Sequence, residues 1–446
     1  MISKIRYIFN QPHKREILKG SFETITIKVM GMLIGYAFIL ILSRNYGAKA
    51  VGIYQISLQF IVIASTISLL GFNQAIIRFS SELISKNHIS ELKKIIKKFS
   101  FISFLLSISI ATTIYFFSKE LTGLLLKDQD LIIIFKLLSI ALPFYTLNLL
   151  YVELMRGLKK IKVSEMLRIF STSLFNLIIF LSIISFFEFN YLLPVISYET
   201  AIFITFVLSF YYASRFLKKN AKNNVDDETK ENRKYISTSF TLYQSILLMM
   251  LSNQILIFIL AYYTKPEEVG IYNAALQIAS LSSFVFGAVI TITAPKFSEL
   301  YRHSKNEFSK MVRFSSKLIF WSTGSIAIVT ILLSHWLMGI FGKEFIVGAS
   351  ILSILSLGNF INAFTGPSGI LLDMIGKQTI RRNILFINTV IIFTLSLILI
   401  PRYGGIGLAY TNLISTIISN FVGVVYIKKN LGINLIYLPS IIKSKG

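Results

Sequence analysis

The sequence predicts an all-α polytopic membrane protein, twelve transmembrane helices in two six-helix lobes related by a pseudo-two-fold axis along the membrane normal. Three observations carry this prediction. Of 446 residues 54% are hydrophobic and only 15% charged, and the mean hydropathy of +0.68 lies outside the range of soluble globular chains. Apolar runs of about 20 residues, each long enough to cross a hydrocarbon core, recur along the whole chain. The stretch VGIYQISLQF at 51–60 returns as VGIYNAALQI at 269–278.

The apolar runs place spans at 21–43, 51–77, 99–117, 131–154, 163–187 and 191–214 in the first half. In the second half they fall at 236–263, 267–295, 318–339, 346–373, 384–400 and 405–427. Connections between spans are too short to hold a folded soluble domain, so function must sit within the membrane or at its faces. The polar, basic first 20 residues and the long first run, with no small-residue cleavage site, predict a span that stays in place and is not a removable signal.

Cysteine is absent, which excludes disulfides and thiol chemistry. The four histidines, His13, His88, His303 and His335, are scattered without metal-ligand spacing, so no metal centre is expected. No glycine-rich phosphate loop follows a strand, which argues against ATP-driven transport by this chain.

The net charge of +24 matters by its distribution. With both termini on one side, 35 of the 45 Lys and Arg fall there and seven on the other: Arg44, Lys49, Lys119, Lys127, Lys265, Lys343 and Arg402. The bias predicts a cytoplasmic-membrane protein with both termini in the cytoplasm. Residues 86–99, KNHISELKKIIKKF, set Ile89, Leu92, Ile95, Ile96 and Phe99 against Lys93, Lys94, Lys97 and Lys98, the pattern of an interfacial helix on anionic membrane lipids. No loop offers a folded basic surface, so nucleic acid is not expected as a partner.

The repeat holds its offset of 218 residues beyond the ten positions. Arg78-Phe79-Ser80 corresponds to Lys296-Phe297-Ser298, and Met155 and Gly157 meet Met374 and Gly376 with one residue of slippage. Six spans per copy give both copies the same orientation. The predicted domains are an N-terminal lobe at 1–214, a charged cytoplasmic linker at 215–235, a C-terminal lobe at 236–428 and a tail at 429–446. Two such lobes predict a transporter working by alternating access. For the VGIY stretches themselves, an aromatic anchor at the outer interface with glycine at the helix start is the simpler reading.

An ionisable residue within a span is a functional candidate by default. Lys28 lies in the first span on a small-residue face with Thr24, Gly31 and Gly35. Arg78, Arg156 and Arg168 lie near the inner interface, and Arg168 follows Glu165 by three residues, fitting an ion pair or a cationic site balanced by a carboxylate. Glu153, Glu165, Glu199 and Asp373 are the carboxylates available for proton or sodium coupling. Glu153 and Asp373 occupy nearly matching places in the halves and are expected to pair with Arg156 and Arg381. Pro143, Pro194, Pro295 and Pro367 are candidate bends.

Taken together, SRNYGAKAVGIYQISLQF and LLGFNQAIIRFSSEL in the first half resemble the opening spans of Wzx-type polysaccharide flippases of the multidrug/oligosaccharidyl-lipid/polysaccharide (MOP) exporter superfamily. In the second half APKFSELY (294–301), HWLMGIFGKEFIVGASILSIL (335–355), GILLDMIGKQ (369–378) and LILIPRYGGIGLAYTNLIS (397–415) agree. The resemblance implies a MATE-like fold carrying a polyprenyl-pyrophosphate-linked oligosaccharide from the inner to the outer leaflet. It implies Lys28, Arg78 and Arg168 as cations for the diphosphate. Gln55, Gln59, Gln244, Asn253, Asn273 and Gln277 are expected to meet the sugar, with Glu153, Glu165 and Asp373 as ion-coupling candidates. No cofactor and no enzymatic activity are expected; a monomer is, with other polysaccharide-assembly proteins as possible partners. The alternatives are a MATE-like multidrug exporter, which would favour a buried carboxylate where Lys28 stands, and a membrane polymerase or acyltransferase, which would show a large outer loop or a paired His/Asp site.

Overall fold

A computed structural model describes residues 12–86, 88–125, 130–219 and 232–437. Most of the charged linker and the end of the tail lie outside these. The described residues are predominantly helical, with no strand among them. Ten helices are long and apolar enough to cross a bilayer, which makes this a multi-pass membrane protein. All backbone polar groups of such a helix are satisfied within it, as hydrocarbon requires.

Two of the ten carry a pair of predicted spans each. The helix Pro12–Leu69 contains Gly47 in a non-helical conformation (φ 80°, ψ −177°), and Gln378–Leu431 contains Gly404 (φ 55°, ψ −131°). At both positions the chain turns with φ above zero, which glycine adopts without a Cβ clash. The proline expectations divide. Pro143 and Pro295 lie inside continuous helices, Pro194 sits in the first turn of Leu192–Lys219, and Pro367 breaks its span. There Gly366 (φ 69°) ends the helix Ala349–Thr365 and Pro367 caps Ser368–Met374.

The chain forms two compact units. One comprises Met1–Ile41 and Ile56–Met250; the other comprises Leu42–Gln55 and Leu251–Gly446. The tip joining the first two spans therefore belongs with the second unit, and the first part of the seventh span with the first.

In the first unit, Phe72 and Phe99 stack at 4.1 Å between ring centroids and Tyr235 meets Phe79 edge-on. The Tyr235 hydroxyl donates to Glu91 Oε1 at 2.6 Å. Leu92, Ile95, Ile96 and Phe99 are buried in this cluster. The stretch 89–99 is thus not a separate interfacial helix: it is the first turns of the helix Ile89–Phe116, and its apolar face packs on protein while Lys93, Lys94 and Lys97 remain exposed. The sequence pattern marks an amphipathic helix but not what covers its apolar side. Buried polar pairs tie the spans together: Ser209 and Thr205 on Asn148, and Ser197 on Asn176. Such pairs are a common adhesive between membrane helices.

The second unit brings the two copies of the repeat into contact. A Cβ on Gly52 would overlap the Pro266 carbonyl, and one on Gly270 would overlap the Ala48 carbonyl and stand 2.9 Å from the Gly52 nitrogen. The Val-Gly pairs therefore meet backbone on backbone, as small residues allow. Tyr54 and Tyr272 are buried, at 4% and 2% exposure, and the Tyr272 hydroxyl accepts from Asn412 Nδ2 at 3.0 Å. The repeated tyrosines are packing residues, not interfacial anchors.

The bends of this unit are held by carboxylates. Glu344 Oε1 accepts from the backbone N–H of Ala48, and Glu268 Oε1 from that of Gly405, both at 2.7 Å. Each satisfies an orphan donor where a helix restarts after its non-helical glycine.

Candidate functional site

In the first unit the glycines of the first span decide where Lys28 stands. A Cβ on Gly31 would lie 2.7 Å from Ile169 Cγ2 and 3.0 Å from the Phe170 backbone, and one on Gly35 3.7 Å from Ser173 Oγ. The small face predicted around Lys28 is thus where the first span packs closely on the fifth. The fifth span starts as a short α-helix, Ile161–Glu165, and passes into a π-helical turn, Met166–Ser171, before the α-helix resumes. Such turns insert a residue into the helical register and are frequent at functional sites. Arg168 lies within it.

Five charged side chains converge here. Glu165, 1% exposed, receives Arg156 Nη2 at 2.6 Å, Arg168 Nη2 at 2.7 Å and Lys28 Nζ at 3.5 Å. Glu153 lies 3.1 Å from Arg156 and 3.7 Å from Arg168. The carboxylates form a floor, and the cations, each about a third exposed, form the rim. Three cations over two carboxylates leave one net positive charge. Arg168 Nε is enclosed with no acceptor among the described residues, so this donor is left unpaired inside the cluster, and the donors open to a ligand are those on the exposed parts of the three cations. Chemically this is a preorganised cationic surface, suited to an anion with several oxygens.

The structure brings Lys28 and Arg168 together on Glu165 and adds Arg156, which sequence reasoning placed near the inner interface. Its signal was present: Glu153 and Arg156, like Glu165 and Arg168, stand three apart on a helix. Arg78 is exposed on the helix Phe72–Ser85 and does not join the cluster. Glu153 and Glu165 are held in ion pairs. The corresponding pair in the second half does not close: Asp373 has no ion pair among the described residues, and Arg381 lies over Gly369 instead. Glu199, in the sixth span, has Oε1 enclosed with no hydrogen-bond partner among the described residues.

The amides expected to meet a sugar are divided between the units. Gln59 and Gln244 lie in the first; Gln55, Asn253, Asn273 and Gln277 lie in the second. Gln244 and Asn253 are exposed, and Gln55, Gln59 and Gln277 partly buried. Asn273 is buried, its Nδ2 donating to Val269 O of its own helix at 2.9 Å.

Residues 17–301 match the family described as polysaccharide biosynthesis protein. The chain belongs to that family. A provisionally named O-antigen transporter of Shigella flexneri is 23% identical over 401 residues, 88% of this chain and 93% of that protein. Among solved structures, the lipid II flippase MurJ in an inward closed conformation aligns with a TM-score of 0.70 at 16% identity, covering 92% of this chain and 87% of that one. An inward-facing multidrug-resistance MATE transporter of the MOP superfamily aligns at 0.66 and 15% identity, over 93% of this chain and all of that one. The fold of this polysaccharide biosynthesis family member is therefore that of MOP-superfamily exporters, as the sequence motifs implied.

Proposed function

We propose that the chain is a flippase that carries a polyprenyl-diphosphate-linked oligosaccharide from the inner to the outer leaflet of the cytoplasmic membrane by alternating access, for cell-surface polysaccharide assembly. The observation that carries this reading is the rim of Lys28, Arg156 and Arg168. A diphosphate moving through low dielectric needs compensating cations in place, and guanidinium groups supply them with forked hydrogen bonds. Family membership and the names borne by the Shigella flexneri relative and by MurJ support the substrate class. In this reading the basic ends of the helices and both termini face the cytoplasm.

The cluster also weighs against a multidrug exporter for organic cations. Its most buried carboxylate, Glu165, is already surrounded by three cations, so an incoming cation meets net repulsion. Coupling to protons or sodium, if it drives the return step, falls in this reading to Glu199 or Asp373, since Glu153 and Glu165 are engaged with cations. Glu199→Gln or Asp373→Asn then removes the pH or sodium dependence of transport and leaves diphosphate binding intact.

The deciding experiment is flipping of a labelled polyprenyl-diphosphate oligosaccharide in proteoliposomes, comparing wild type with Lys28→Ala, Arg156→Ala and Arg168→Ala. Wild type flips, and each variant loses at least tenfold in rate while keeping its elution profile and helical content. Wild type that is inert toward this substrate yet exports organic cations against a gradient replaces the proposal with the multidrug reading.

A further inference from the structure

The second unit carries a second cationic feature, far along the chain from the Lys28 rim and built differently. The helix Gln378–Leu431 ends at Gly432 in the left-handed conformation (φ 68°), whose N–H closes on Lys428 O. The chain then runs extended, with Ile433 and Leu435 buried beside Phe308 and Val312 of the helix Lys305–Ile319, which leads into the ninth span. Tyr437 packs on Phe320 at 5.4 Å between ring centroids. This strap and the helix Lys305–Ile319 enclose a cleft of about 470 Å³ lined by Arg313, Phe314, Ser316, Lys317, Asn434 and Tyr437 among others.

The lining is chemically unbalanced. Arg313 and Lys317 stand one helical turn apart, both exposed, with no ion pair or hydrogen bond among the described residues. Ser316 is 2% exposed, and its hydroxyl has no partner among the described residues. Asn434 uses its carbonyl oxygen to accept from the Ile436 N–H at 3.1 Å, which leaves its amide N–H groups for another acceptor. Among the described residues the cleft thus presents two cations and further donors and no carboxylate.

Its position on the helix says what kind of acceptor. Phe314, Leu318, Trp321, Ile328, Val329 and Leu332 are 40–76% exposed along the ninth span, the surface that lipid chains cover. Arg313 and Lys317 flank the first residues of that apolar stripe, at headgroup level.

We infer that this cleft binds the phosphate of an anionic phospholipid, held by Arg313 and Lys317 with Ser316 and Asn434 as neutral donors, its acyl chains lying over Phe314, Leu318 and Trp321. The site rests on the membrane reading of the chain and not on the diphosphate substrate, so either can fail without the other. A bound lipid fastens the strap to the ninth span from the outside.

The test is native mass spectrometry of the full-length protein released from nanodiscs of phosphatidylglycerol or of phosphatidylcholine, with inorganic phosphate added in a separate arm. Wild type retains one phosphatidylglycerol and no phosphatidylcholine. The double variant Arg313→Ala/Lys317→Ala loses roughly thirtyfold in affinity, about fivefold per charge removed. Arg313→Lys/Lys317→Arg keeps binding, and Lys310→Ala, an exposed cation of the same helix outside the cleft, serves as the control. Equal retention by wild type and the double variant overturns the site. So does retention of inorganic phosphate in place of lipid, or equal retention of the two lipids, which marks an unspecific annulus.

Discussion

Replacing Glu165 with Gln tests the central cluster most directly, because it removes a charge and leaves the shape almost unchanged. In the structure this carboxylate accepts from Arg156 at 2.6 Å and Arg168 at 2.7 Å, with Lys28 at 3.5 Å. A hydrogen bond to a charged group contributes about 1.5–3 kcal/mol against roughly 0.5–1.5 for a neutral one. Two such bonds weakened therefore cost about 2 kcal/mol, and the loss of attraction to Lys28 adds a few tenths, because that amine is a third exposed and well solvated. The unfolding midpoint of the purified protein in detergent should fall by several degrees. Binding should move the other way. The net charge of the cluster rises from one to two, and at an effective dielectric constant of about 20 an added unit charge some 5 Å from the phosphates favours binding by about 3 kcal/mol per unit of phosphate charge before screening. Titration with a short-chain prenyl diphosphate should show at least tenfold tighter binding with slower release, and hence slower flipping. If stability and diphosphate affinity fall together, Glu165 acts by holding the cations in place and the net-charge argument is refuted. If neither changes, the cluster is not organised by Glu165.

Other substitutions follow from the same geometry. Gly31→Ala should destabilise by about 1–3 kcal/mol, because the new methyl meets the Phe170 backbone at 3.0 Å and cannot relax away; thermal melting checks this, and unchanged flipping would show that Lys28 need not sit as close to the fifth span. Gly270→Val should abolish accumulation of folded protein in membranes, since its side chain would overlap the Ala48 carbonyl and crowd Gly52; normal accumulation would show that the repeat contact is dispensable. Glu344→Ala and Glu268→Ala should each cost about 1 kcal/mol through loss of the bond to Ala48 N or Gly405 N, read as additive shifts in melting temperature.

Much of the fold was legible because apolar run length and charge asymmetry report directly on the solvent each segment meets. The all-helical, multi-pass character came through on that basis, while the role of the glycines at 47, 52, 270 and 404 in bends and backbone contacts did not. What faces a given side was not legible. Ile95 and Ile96 form an apolar stripe whether lipid or protein covers it, and Tyr54 and Tyr272 read as interfacial until the packing partner is known. The same holds for charge. The spacing of Glu165 and Arg168 predicts a local pair, but the convergence of Lys28, Arg156 and Glu153 on them joins residues up to 140 positions apart through close helix packing at Gly31. No local pattern encodes that.

A cationic site for a carried anion faces opposed demands, and the carboxylate floor answers both. Three bare cations in a low-dielectric wall would repel one another when the site is empty and bind a diphosphate too tightly to release it. Glu165 and Glu153 hold the three cations in place at a net charge of one, so in the proposed alternating-access cycle the empty site would tolerate the return half. In the proposed function a bound diphosphate then meets cations already held in place, each about a third exposed, without assembling the site from mobile lysines and arginines. On this argument Arg156 and Arg168 are not interchangeable with lysine. Arg168→Lys keeps the charge but loses the fork that serves Glu165 and the ligand at once, and it should impair flipping nearly as much as Arg168→Ala.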